Sequence, residues 1–171
     1  MKISLFLICF VSLLLSSFIS SQETDLIPFS LEDQFGRKFR DWDFRHWILV
    51  IIGSDKDGSK FAGIWGQAIR SALKDDPDFT KVWIVALSDL RGVPFFLKGW
   101  VKGKFPKNRA HWVLLDWQGV FAQAYSFEPK AVNILVFDCS GNLIHKSSVR
   151  GLEESKLKKI VDKIASVSPE C

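Results

Sequence analysis

Residues 46–53, HWILVIIG, are apolar with almost no alternation, the pattern of a strand buried on both faces. A polar turn follows, and then SKFAGIWGQAIRSALKDD (59–76) places Phe61, Ile64, Trp65, Ala68, Ile69 and Leu73 at spacings of three and four. That spacing predicts a helix with one inward stripe. Gly63 and Gly66 weaken it by about 1 kcal/mol each relative to alanine, and Pro77 closes it. FTKVWIVALSD (79–89) is a second buried strand, and VPFFLKGWVKGKF (93–105) a helix with Pro94 in its tolerant first turn. HWVLLDW (111–117) predicts a short strand and QGVFAQAYSF (118–127) a short helix. AVNILVFD (131–138) and LIHKSSVRG (143–151) read as a hairpin around CSGN, where Gly141 and Asn142 supply backbone freedom. LEESKLKKIVDKIASV (152–167) closes as a helix with Leu152, Leu157, Ile160, Val161 and Ile164 inward. Upstream, residues 26–44 are short extended pieces around DQFGR. Strands alternating with helices predict an α/β fold, and the terminal hairpin makes its sheet mixed.

The first 21 residues, MKISLFLICFVSLLLSSFISS, have one lysine, an apolar run and small polar residues, the layout of a secretory signal peptide. Ser12, Ser16 and Ser17 interrupt the run, whereas a membrane span takes about 20 mainly apolar residues. Cys9 lies too early for a lipid-attachment cysteine. Cleavage after Ser21 would leave residues 22–171 as one exported domain, with no membrane expected as its partner. The net charge of +4 is mild, and small basic groups such as Lys102, Lys104, Lys107 and Arg109 form no concentrated stripe, which argues against nucleic acid as a partner. Cys139 and Cys171 remain after cleavage. They could pair, since export permits disulfides, or serve as reactive thiols. Fifteen Phe and seven Trp suffice for an ordinary core. Trp42, Trp100 and Trp117 lie near element ends, and an exposed Trp near Phe95 or Phe96 would suit a protein, peptide or sugar.

GSDKDGSK (53–60) sits where strand turns into helix, a place that often carries chemistry. Gly53 and Gly58 have P-loop spacing, but Ser59 precedes Lys60 where the motif needs lysine and then a hydroxyl. Asp55 and Asp57 resemble the start of a calcium loop, without its later bidentate glutamate. The plainest reading is a solvated turn in which Asp57 or Ser59 caps the helix. His46, His111 and His145 have no metal-ligand spacing, so no metal or other cofactor is expected.

Three stretches carry a family resemblance: FSLEDQFGRKFRDWDFRHWILVIIG (29–53), HWVLLDWQGVFAQAYSF (111–127) and AVNILVFDCSGNLIHKSSVRG (131–151). Their order over roughly residues 26–165 resembles the thioredoxin-like superfamily, in its branch of peroxiredoxins and periplasmic thiol–disulfide oxidoreductases. The resemblance implies a central mixed sheet flanked by helices, an N-terminal hairpin and a strand–helix insertion. It also implies a C-x-x-C pair at the start of the first helix, where a thiolate would attack disulfides. Those positions hold Asp57, Gly58, Ser59 and Lys60. The family's cis-proline position, counted back from Asp138, holds Val132, before which a trans bond is expected.

The sequence therefore reads as an exported thioredoxin-fold domain with a degenerate active site, acting as a binding or scaffold module. A protein or peptide would be its partner, at the groove between residues 57–60 and 130–133. The rival reading is a redoxin-type thiol oxidoreductase or antioxidant protein using Cys139 or Cys171.

Overall fold

A computed structural model describes residues 25–168. The expected signal segment, residues 1–21, and Cys171 lie outside them. The strands are β1 (Ser30–Asp33), β2 (Lys38–Arg40), β3 (Ile48–Ser54), β4 (Val82–Asp89), β5 (Val113–Asp116), β6 (Val132–Phe137) and β7 (Leu143–Val149). The helices are α1 (Ser59–Leu73), α2 (Lys98–Lys102), α3 (Val120–Ala124) and α4 (Glu154–Val167). The described strands form one sheet in the order β2-β1-β5-β4-β3-β6-β7. β3, β4 and β5 run parallel to one another, while β6 is antiparallel to β3 and β7 to β6, so the sheet is mixed as expected.

Every residue of β3 and β6 is buried, which explains their unbroken apolar runs. One sheet face packs Val50, Ile52, Ile134 and Val136 against Trp65, Ile69 and Leu73 of α1 and Ile160 and Ile164 of α4. The other packs Leu49, Ile51, Leu135 and Phe137 against Phe29, Phe44, Phe121 and Tyr125. Two predicted inward positions point elsewhere. Ile64 is 48% exposed and Leu152 47% exposed. Neighbouring turns of α1 already fill the sheet surface with Trp65 and Ile69, while Leu152 precedes the first residue of α4. The helix expected over 93–105 is shorter: a 3-10 turn at Phe95–Leu97 leads into five-residue α2. Gly99 and Gly103 each cost about 1 kcal/mol of helix propensity there.

Aspartates close the turns. Asp33, fully buried, accepts hydrogen bonds from the Phe35 and Arg37 amides and from Arg37 Nε at 2.6 Å. Asp138 accepts from the Ser140 and Asn142 amides in the β6–β7 turn. Asp116 accepts from the Val120 and Phe121 amides and so fixes the start of α3.

Tyr125, the one tyrosine in the sequence, ties the N-terminal segment to the core. Its hydroxyl donates to the Asp25 carbonyl at 2.9 Å and accepts from the Ile27 amide at 3.0 Å. Burial pushes its pKa up to about 12; the Ile27 hydrogen bond opposes this and the charge of Asp25 adds to it. The folded-state pKa lies above the ordinary value of 10. The neutral phenol therefore contributes its full stability below pH 10, and that contribution is lost as pH rises toward 12. Tyrosinate absorbance at 295 nm is expected to appear near pH 12 in the folded chain and near pH 10 in denaturant. A folded-state midpoint near 10 would show the hydroxyl to be solvated.

Candidate functional site

Ser54, the last residue of β3, pairs with Ser88 of β4 on one side and with Val132 of β6 on the other. The turn 55–58, the start of α1 and the loop ahead of β6 therefore share one end of the sheet. Asp57, Gly58, Ser59, Lys60 and Val132 are thus brought to one place. No peptide bond among the described residues is cis.

The residue that organises this end is Asp55, which the sequence reading passed over in favour of Asp57 and Ser59 as caps. Asp55 Oδ1 accepts the Gly58 amide at 2.7 Å, and its carbonyl accepts the Ser59 amide at 3.0 Å, so Asp55 caps the turn that enters α1. Its other oxygen, Oδ2, accepts the Lys130 amide at 2.8 Å, 75 positions along the chain. One carboxylate thus joins the turn before α1 to the loop before β6. Asp57 is exposed and makes no hydrogen bond or ion pair among the described residues. Ser59 Oγ donates to the Lys56 carbonyl, and the Lys60 ammonium lies 4.9 Å from the Phe61 ring centroid. A D-x-x-G spacing before a helix was the available sign for Asp55, but it said nothing of Lys130.

Gly58 has ordinary helical dihedrals, φ −74° and ψ −24°, so its role is spatial. A Cβ there would stand 2.3 Å from the Ala131 carbonyl oxygen and 2.8 Å from its carbon. Gly53 faces Phe127 with similar intimacy, since a Cβ would meet that ring at 2.2 Å. Buried Asn133 braces the loop from behind, accepting the Glu128 amide at 2.8 Å and the Ser148 hydroxyl at 2.7 Å, and donating to the Glu128 carbonyl. Lys130 takes a left-handed conformation, φ 59°. The Val132 side chain is buried within the α1/α4 core rather than lining the groove. The Lys130 amide is engaged by Asp55, and the Ala131 carbonyl lies close against Gly58. Glu128 pairs with Arg150 at 3.5 Å, and Arg91 with Asp89 at 2.8 Å; that pair holds the Arg91 guanidinium above its usual range.

The other candidates lie elsewhere. Cys139, one of the two candidate thiols, is disulfide-bonded. The other cysteines of the chain, Cys9 and Cys171, lie outside the described residues. Leu49 pairs with Phe137, which places the turn bearing Cys139 at the opposite sheet end from α1's start. Lys81, just before β4, donates to the carbonyl of Ser168, so the end of α4 shares that opposite end. His46 and His111 are exposed and His145 is half-buried on β7. Burial and then the charges of Lys159 and Lys163 lower the His145 pKa. No group of three or more potential metal ligands occurs among the described residues. No described helix is long and apolar enough to cross a membrane.

No protein-family model matches the chain, and no curated protein matches it. Solved structures do. The exposed lipoprotein thioredoxin of Streptococcus pneumoniae is 17% identical, with a TM-score of 0.57 over 80% of this chain and 99% of that one. The thioredoxin domain of a thiol–disulfide oxidoreductase from Bacteroides vulgatus is 16% identical, with a TM-score of 0.57 over 84% and 96%. Arabidopsis thaliana ScoI, solved with copper bound, is 12% identical, with a TM-score of 0.61 over 84% and 99%. The fold is therefore thioredoxin-like: a mixed sheet flanked by helices, with the N-terminal hairpin β1–β2 and the inserted β5–α3 unit.

Proposed function

We propose that this thioredoxin-fold chain is an exported binding or scaffold module whose redox site is degenerate. The observation that carries the reading is Asp57-Gly58-Ser59-Lys60 at the start of α1, with no cysteine anywhere from residue 10 to residue 138. Thiol–disulfide exchange needs a thiolate that attacks sulfur and a second sulfur that resolves the mixed disulfide. A carboxylate and an ammonium supply neither. The disulfide at Cys139 supports export, because such bonds persist in oxidising compartments, and its place at the far sheet end separates it from the former site. With signal cleavage after Ser21, residues 22–171 form the exported domain.

The partner is a protein or peptide that meets the exposed side chains of Asp57, Lys60, Glu128 and Lys130. Asp55 occupies the backbone group that strand addition would require, so recognition rests on side chains and is salt-sensitive. Insulin reduction with dithiothreitol tests the non-catalytic reading: the rate with protein is expected to equal the rate without it. Turnover above that background would overturn the proposal. The placement of the degenerate motif has its own test in Asp57→Cys combined with Lys60→Cys. One residue just before α1 and another in its first turn fall within the Cα separation of about 4.4–6.8 Å that a disulfide needs. The oxidised double variant is expected to show no more free thiols than the parent chain. Two additional thiols would show the positions to be mismatched.

A further inference from the structure

The segment joining β4 to β5 carries side chains that the fold does not use. Phe95 is 83% exposed, Phe96 70% and Trp100 64%. The two phenylalanine rings meet edge to face at 5.7 Å, so they pack on each other and not on the core. Consecutive residues in a 3-10 turn cannot both face inward, and five-residue α2 is too short to fold a full stripe against the sheet. The surroundings are of one sign. From Arg91 to Leu115 the chain has six basic residues and no acidic one. Lys102 is paired with Glu32 of β1 at 3.3 Å. Lys98, Lys104, Lys107 and Arg109 form no ion pair among the described residues. The Lys104 ammonium instead lies 4.6 Å from the Trp100 ring centroid, and that of Lys98 lies 5.0 Å from Trp117.

We propose that residues 94–104 dock this domain on an anionic membrane surface. The rings would enter the headgroup boundary, where aromatic side chains are favoured, and the lysines would meet lipid phosphates. Each basic group near such a surface raises partitioning by about fivefold. Charge complementarity selects an acidic occupant, and shape selects lipid over protein. Protruding rings need a matching cavity in a protein partner, whereas a fluid interface needs none. Such docking departs from the expectation that the exported domain has no membrane partner; a peripheral contact of this kind requires no spanning helix. The inference is independent of the degenerate redox site and survives or fails separately from it.

Co-sedimentation with vesicles of phosphatidylcholine alone, or of phosphatidylcholine and phosphatidylglycerol at about 3:1, tests it on the full chain. Binding is expected on the anionic vesicles and is expected to fall as salt rises. Lys98→Gln, Lys104→Gln and Lys107→Gln together are expected to reduce it by about 100-fold, from about fivefold for each lysine. A second variant, Phe95→Ser with Phe96→Ser and Trp100→Ser, is expected to reduce it by about tenfold or more. All six side chains lie outside the core, so both variants should keep the parent melting temperature. Any binding by residues outside 91–109 would appear equally in parent and variants. Equal partitioning of parent and variants, equal partitioning onto neutral vesicles, or no vesicle binding while an acidic protein binds this patch would each overturn the proposal.

Discussion

Replacing Gly58 by alanine is expected to destabilise the chain by about 3 kcal/mol, at the upper end of the usual cost of overpacking. The effect is steric and not conformational. Gly58 has helical dihedrals that alanine adopts freely, and stiffening the unfolded chain would by itself stabilise by about 0.4–1 kcal/mol. That gain is outweighed because the added carbon would stand 2.3 Å from the Ala131 carbonyl oxygen. Both partners are backbone, one entering α1 and one entering β6, and neither can rotate away as a side-chain tip could. Either the start of α1 or the 128–131 loop must move. Urea unfolding measures the loss. A variant as stable as the parent would mean that the loop yields easily and that the tight contact has no structural role.

Asp55→Ala is expected to cost about 2–3 kcal/mol, since hydrogen bonds to a charged group are worth about 1.5–3 kcal/mol each and solvent replaces part of this loss. The Gly58 amide is buried and would lose its acceptor, while the Lys130 amide is exposed and can turn to water. The larger share of the cost therefore belongs to the helix start. Asp55→Asn retains one carbonyl acceptor and should cost about half as much. Amide hydrogen exchange gives the spatial signature: Gly58 and Lys130 should lose protection together, although 72 residues separate them. Loss at Gly58 alone would mean that Asp55 is only a helix cap. Because Gly58→Ala and Asp55→Ala break the same junction, their combined cost should fall short of the sum by about 0.5–3 kcal/mol.

This junction bears on recognition. Thioredoxin-like folds offer two walls at this sheet end, a turn before the first helix and a loop before the antiparallel strand. In this chain Asp55 and Gly58 press those walls together. Thiols introduced at positions 57 and 60 would therefore sit beside a closed backbone, so disulfide formation by the double variant does not imply peptide recognition. The exposed features are instead the charged side chains around the junction and the aromatic segment between β4 and β5.

The elements themselves were legible from local pattern. An unbroken apolar run such as ILVIIG or VNILVF requires burial on both faces, and it marked β3 and β6 without any knowledge of their neighbours. That no cysteine lies from residue 10 to residue 138 was equally plain, because it is read directly along the chain. Helix faces were legible only in part. Spacing put Ile64 and Leu152 on inner stripes, but the width of the surface that a helix covers depends on what lies beneath it. Contacts between distant positions were not legible. Asp55 could be seen as a turn residue, and only the pairing of Ser54 with Val132 carries the Lys130 amide to its second oxygen. A sequence states which groups can donate and accept; the crossing of strands decides which of them meet. Pro94-Phe95-Phe96 likewise reads as the start of a helix, and its local pattern does not say whether the rings reach a core. The tertiary structure left those rings outside, since both sheet faces were already filled by α1, α4, α3 and the N-terminal segment.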